Sequence, residues 1–222
     1  MDWQALWLSL TLGAFTVLLL LPLAVVVGRW LAITHIRGKP LVEAAFALPL
    51  VLPPTVVGFY LLAAFSPRSW FGDLWRQLFG STLAFTFEGL LIASVLINLP
   101  FAIQPAQRAF EAIGAELPEA AASCGMSWWG ALSRVELPLA WPGILTGMVL
   151  AFAHTLGEFG VVLMVGGSIP GETRTVAIAI YDRVQAFDDA AAGQMAATLL
   201  VVSLVAIATT FLISQRTGNR RG

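Results

Sequence analysis

Apolar residues fall in long unbroken runs along this chain and do not alternate with polar ones. No Asp, Glu, Lys or Arg occurs from Trp3 to Gly28, from Ala44 to Pro67, or from Gly89 to Gln107. A fourth run starts at Leu137, meets its first charge at Glu158, and continues apolar to Gly167. A fifth extends from Ala190 to Gln215. A helix that crosses a bilayer needs roughly 20 apolar residues, so the pattern predicts an all-α integral membrane protein with about five transmembrane helices. The first run has no basic segment ahead of it, Asp2 being the only charge there. Its apolar core is also too long for a signal peptide, so it reads as a retained span. Residues 1–222 read as a single transmembrane domain.

The segments between the runs differ in character. Ser66 to Thr82 carries Trp70, Phe71, Trp75 and Phe79, which suits the outer membrane interface. Gly166 to Asp189 opens with a Gly-Gly-Ser-Ile-Pro-Gly turn cluster and continues into an apolar run from Thr175 to Tyr181. That run is too short to span, and reads as a re-entrant or interfacial piece. The longest connection, residues 104–141, lies between the third and fourth spans. Inside the spans, Pro49, Pro53 and Pro54, and Asn98 with Pro100, are expected to disturb regular helix. Such breaks are tolerated where neighbours or a cavity satisfy the backbone. Thr55, Gly58 and Asn98 are therefore candidates for lining a path, although ordinary helix packing accounts for each of them as well.

Composition sharpens the class. Hydrophobic residues make up 58% of the chain and charged residues 11%, against roughly 25% charged in a soluble domain. So little charge cannot cover a soluble surface. The net charge of −1 gives no basic face for nucleic acid. One cysteine, Cys124, excludes an internal disulfide and a cysteine-rich zinc site. Five spans put Arg29, Arg37, Lys39, Arg108, Arg134, Arg216, Arg220 and Arg221 on one side, and Arg68, Arg76, Arg174 and Arg183 on the other. The positive-inside rule then places the N-terminus outside and the C-terminus, with loop 104–141, in the cytoplasm.

Glu158 is the charge that most needs a reason, because an ionisable residue inside a span is by default a functional candidate. His154 lies four residues earlier on the same helical face and is a plausible partner. Gly157 and Gly160 flank it and permit close helix approach. Two like unit charges ~4 Å apart repel by roughly 4 kcal/mol at an effective dielectric of 20, and a dianion doubles that to about 8. An ionised Glu158 touching a dianion would block its passage. A structural or gate-closing role is therefore preferred to direct contact with an anion. The sequence holds no H-E-x-x-H, no G-x-S-x-G and no G-x-x-x-x-G-K-[ST] phosphate loop, which leaves no metalloprotease, serine-hydrolase or nucleotide signature.

The cytoplasmic loop contains Leu117-Pro118-Glu119-Ala120-Ala121-Ala122-Ser123-Cys124-Gly125. Pro118 suits the first turn of a helix, and Glu119 favours its positive end. The alanines propagate it, and Gly125 permits the left-handed residue that ends it. Ser127 is placed to cap the next helix, at Trp128 and Trp129. A helix of about two turns is marginal alone in water, which calls for a partner. It either lies at the interface, anchored by its tryptophans, or docks another protein.

The longer spacing decides between these. Glu119-Ala120-Ala121, three residues, Gly125, nine residues, Val135, one residue, then Leu137-Pro138 resembles the EAA loop of ATP-binding-cassette (ABC) importer permeases, with Val135 where that family has Ile. Ala153-His154-Thr155-Leu156-Gly157-Glu158-Phe159-Gly160, Gly166 to Thr173 and Ala177 to Asp182 extend the resemblance to the oxyanion branch. There the chain looks most like the molybdate permeases, with tungstate and sulfate permeases as near relatives. The resemblance implies a type I ABC importer membrane domain in the bacterial cytoplasmic (inner) membrane that translocates molybdate. It implies a homodimer, two cytoplasmic ATPase subunits docked on the EAA loop, and a periplasmic or lipid-anchored oxyanion-binding protein. It also implies no cofactor or metal on this chain, with ATP and Mg on the partner ATPase. The alternatives are a sulfate or tungstate permease, or, from other classes, two further readings. A secondary transporter would show inverted repeats, and none is visible. An intramembrane enzyme built on His154 and Glu158 would turn over substrate alone.

Overall fold

The structure is a computed structural model that describes residues 1–218, with side chains as far as Thr209. Arg220 and Arg221, counted above for orientation, lie outside the described residues, as does the side chain of Arg216. Every regular element among the described residues is helical. Four helices among the described residues are long and apolar enough to cross a membrane, and a bent pair makes a fifth if it counts as one broken span.

The first span is α1, Trp3–Ile33, opened by the Asp2 side chain, which accepts the Ala5 N–H at 3.0 Å. The second span is broken into α2, Lys39–Val51, and α3, Pro54–Phe65, which meet at 108°. Leu52 is extended (ψ 139°), as a residue ahead of proline prefers. Pro54 then opens α3, where its missing N–H leaves no bond unmade. Pro49 stays inside α2, so the break belongs to Pro53-Pro54. After α3, Ser69 caps an amphipathic helix α4, Trp70–Phe79, that ends at left-handed Gly80. Phe71 and Trp75 turn to the core, and Trp70 and Phe79 stay exposed.

The third span corrects one expectation. Helix α5, Phe87–Glu111, runs unbroken through Pro100 and Pro105. Neighbours on two sides hold it: Ala102 and Ala106 of α5 are fully buried with Leu20 and Ala24 of α1 and Ala140 and Ile144 beyond. Glycines let the next span come close. A Cβ at Gly143 would sit 2.5 Å from Ala109 Cβ. One at Gly147 would sit 2.9 Å from the Phe101 carbonyl, which Pro105 leaves without its helical donor. Small residues at such seams are how spans pack where lipid supplies no hydrophobic drive.

Between the third and fourth spans lie α6, Glu116–Ser123, and α7, Trp128–Ala131. A π-helical turn, Leu132–Glu136, joins α7 to α8, Leu137–Gly157. The α8 helix ends at Gly157, and Glu158 is extended (ψ 124°) before α9, Gly160–Gly166. Glu158 therefore stands at a break, not inside a continuous fourth span as the uncharged run suggested. The two broken spans face one another. A Cβ at Gly58 of α3 would meet Met164 Cβ at 2.7 Å, and one at Gly160 of α9 would meet Pro54 Cβ at 2.7 Å.

The run from Thr175 to Tyr181 lies mostly in α10, Val176–Gln185. Val176 and Ile178 are fully buried, and Val176 and Ala179 share a cluster with Ala5 and Leu6 of α1 and Met195 of the last helix, α11, Asp189–Gly218. Protein covers this segment on its apolar side.

Candidate functional site

A polar chain threads the middle of the bundle. Thr16 of α1 donates to Ser94 Oγ of α5 at 2.9 Å, and Ser94 Oγ lies 3.2 Å from Thr155 Oγ1 of α8. Asn98 Nδ2 donates to the Ser94 carbonyl at 2.8 Å and to Thr155 Oγ1 at 3.1 Å. A carbonyl only accepts, so this bond fixes the Asn98 amide and turns its Oδ1 to His154 Nδ1, 3.1 Å away. His154 Nδ1 is thereby the protonated nitrogen, and Nε2 faces Glu158 Oε2 at 3.7 Å. Nε2 and a carboxylate oxygen both accept unless one of them carries a proton. At 3.7 Å the two groups face one another without a hydrogen bond. The other carboxylate oxygen, Oε1, accepts the Val161 N–H at 2.8 Å and so satisfies an orphan donor at the start of α9. Phe101 stacks on the imidazole with centroids 4.5 Å apart.

A cavity of about 260 Å³ opens at the break in the second span. Pro49, Pro54 and Val57 form one wall, and Phe101, His154 and Glu158 the other. The structure distributes the path candidates unevenly around it. His154 and Glu158 reach the cavity. Asn98 is fully buried behind them and orients His154. Thr55 is exposed on the first turn of α3. Gly58 and Gly160 are points of close approach between α3 and α9, and Gly157 has open space where a Cβ would go.

The second site is the loop helix. Its C-terminus carries two bonds, Gly125 N–H to the Ala122 carbonyl at 2.9 Å and Met126 N–H to the Ala121 carbonyl at 3.1 Å. With Gly125 at φ 77°, this is a Schellman ending. The helix starts at Glu116, two residues before Pro118, and Ser127 caps α7 through Gly130 N–H at 3.2 Å. Ala121 is buried against the chain itself, whereas Glu119, Ala120 and Ala122 are exposed. Val135 lies in the π-helical turn, and Leu137 and Pro138 open α8.

Charges at this end form pairs that sequence reasoning missed. Arg29 near the end of α1 holds Glu136 of the π-helical turn through two bonds of 2.6 and 2.9 Å. The Arg29 guanidinium carbon also lies 5.2 Å from the centre of the Trp128 ring. Lys39 at the start of α2 reaches Glu111 at the end of α5 at 3.3 Å, and Gln107 donates to both Glu43 and Glu111. Of these charges, Arg29, Glu43 and Glu136 border apolar runs. Only the fold says which borders meet, because Arg29 and Glu136 are 107 residues apart.

Residues 21–219 match the family model of the binding-protein-dependent transport system inner membrane component. The molybdenum transport system permease protein ModB of Azotobacter vinelandii is 47% identical over 206 residues, which is 93% of this chain and 91% of that one. The protein of the same description from Escherichia coli K12 is 36% identical over 96% of this chain and 92% of its own length. The sulfate transport system permease protein CysT of the same strain is 32% identical over 82% of this chain and 66% of its own. Among solved structures, a bacterial alginate ABC transporter in complex with an alginate pentasaccharide-bound periplasmic protein superposes with a TM-score of 0.77 at 18% identity. It covers 96% of this chain and 78% of that one, a likeness of fold.

Proposed function

Since this chain belongs to the family of binding-protein-dependent transport system inner membrane components, we propose that it is the permease subunit of an ABC importer that carries molybdate across the cytoplasmic membrane. The observation that carries the reading is the near end-to-end match to molybdenum permeases at 47% and 36% identity. The sulfate permease matches less of both chains, and sulfate is the second substrate to test. Two copies form the path, with the cavity between the broken spans on its wall. A binding protein delivers the anion at the outer end.

Two cytoplasmic ATPase subunits dock on α6, with Glu119, Ala120 and Ala122 as the contact face. ATP and Mg belong to those subunits, because this sequence has no phosphate loop. Closure of the ATPase pair moves α6, and the bundle passes from inward-facing to outward-facing. His154 and Glu158 act at the gate. Oε1 of Glu158 is held by the Val161 N–H, and a bare carboxylate would repel a dianion, so the pair closes the gate and does not carry the anion.

The test is uptake by proteoliposomes holding this chain with its ATPase and binding protein. ATP-dependent molybdate accumulation, weakly inhibited by sulfate, is the expected result. Accumulation without ATP would mark a secondary transporter, and preference for sulfate would move the chain to the other substrate.

A further inference from the structure

Arg29 and Glu136 form a two-pronged ion pair at the end of the bundle that carries α6, with side chains only 13% and 4% exposed. A buried pair adds little net stability over well-packed apolar residues. What the fork geometry adds is orientation, since two parallel bonds fix the plane and direction of both groups. The helices here do not need the pair to stay together. Leu20 and Ala24 of α1 and Ala140 and Ile144 of α8 are already fully buried in one shared apolar cluster.

The partner of Arg29 sits at a telling place. Glu136 is the last residue of the π-helical turn Leu132–Glu136, between Val135 and Leu137-Pro138 of the motif. A π-helical turn is a wide, uncommon turn that is frequent at functional sites. Along the chain, any displacement of α6 reaches α8 through α7 and this turn. Arg29 grips the turn from α1, and Trp128 at the start of α7 lies against the same guanidinium. Three elements thus meet on one side chain.

We infer that the Arg29–Glu136 pair is the joint through which displacement of α6 moves α1 together with α8. It acts as a positioning element for transport and takes no part in docking the ATPase. This rests on α6 being the docking helix. The test separates the two claims. Glu136→Gln keeps shape and removes the charge. Arg29→Met with Glu136→Leu replaces the pair by apolar side chains that a membrane-embedded seam tolerates. Arg29→Lys keeps the charge with a single contact.

Each is purified with the ATPase, reconstituted with the binding protein, and assayed for co-purification, hydrolysis and molybdate uptake in the same vesicles. Co-purification and basal hydrolysis should match wild type. The ATP hydrolysed per molybdate imported should rise at least about fivefold in Glu136→Gln and in the double variant, the lower bound of ordinary coupling between sites. Arg29→Lys should fall between them and wild type. Assembled variants with the wild-type ratio would overturn the inference. So would loss of the complex in both, because the pair would then hold the fold and not transmit motion. If α6 is not the docking helix, the independent variant Ala122→Trp will leave ATPase binding intact whatever the Arg29 variants do.

Discussion

Glu158 has two separable roles: Oε1 accepts the Val161 N–H, and Oε2 faces His154. Glu158→Gln serves both, since its amide oxygen accepts from Val161 and its amide nitrogen donates to His154 Nε2. Thermal stability in detergent and most of the uptake should survive. Glu158→Ala leaves the Val161 N–H buried without an acceptor, at a cost of about 1–3 kcal/mol. Glu158→Lys adds an unpartnered cation inside a span and should disrupt the purified chain. Wild-type stability and uptake in the Lys variant would show a side chain in open water and remove the gate reading. The sequence identified the pair by its spacing of four. It did not reveal the extended residue at 158 or the hydrogen bond to α9. Both depend on where α3 meets α9, at Gly160 and Pro54.

Among the elements, α6 presents a face different from the one its composition suggests. All three alanines looked equivalent along the sequence, yet Ala121 is 7% exposed and turned inward. Ala121→Trp would overpack the chain's own joint with α7 and the π-helical turn, at about 1–3 kcal/mol. Ala122→Trp is the cleaner probe of docking, because it projects from the exposed side. Gly125→Val has space for its side chain but must adopt φ 77°, which a β-branched residue resists. Both Ala122→Trp and Gly125→Val should abolish co-purification with the ATPase and leave membrane insertion intact. Normal co-purification and hydrolysis in both would make α6 an interfacial helix.

Across the whole molecule, α1 is the ruler. Its N-terminal half touches α10, where the Val176 N–H donates to Ser9 Oγ, and its far end holds Glu136. Ser9 and Arg29 are twenty residues apart, or about 30 Å of helix at 1.5 Å per residue, which matches the roughly 30 Å hydrocarbon core. The segments bearing Arg174 and Arg183 are therefore at one end of α1, and those bearing Arg37, Lys39 and Arg134 at the other. The basic excess lies at the α6 end, which predicts a cytoplasmic C-terminus. An alkaline phosphatase fused after Gly222 should be inactive. Activity would invert the topology and separate α6 from any cytoplasmic ATPase.

The sequence by itself determined the class of solvent, four spans with a candidate fifth, and the short α6 helix with its glycine ending. Each is a local matter of apolar run length, helix-forming residues, or one position at positive φ. It also marked Pro53-Pro54 as a break, because adjacent prolines remove two consecutive donors and force the preceding residue extended. Tertiary structure decided what local chemistry leaves open. Pro100 and Pro105 do not break α5, because α1 and α8 bury it on both sides. Asn98 orients a histidine instead of lining a path, because Ser94 and Thr155 claim its amide. Arg29 finds Glu136 because two span ends far apart in sequence are brought together at the same end of the bundle. Which partner each charge takes is set by helix packing, not by sequence spacing.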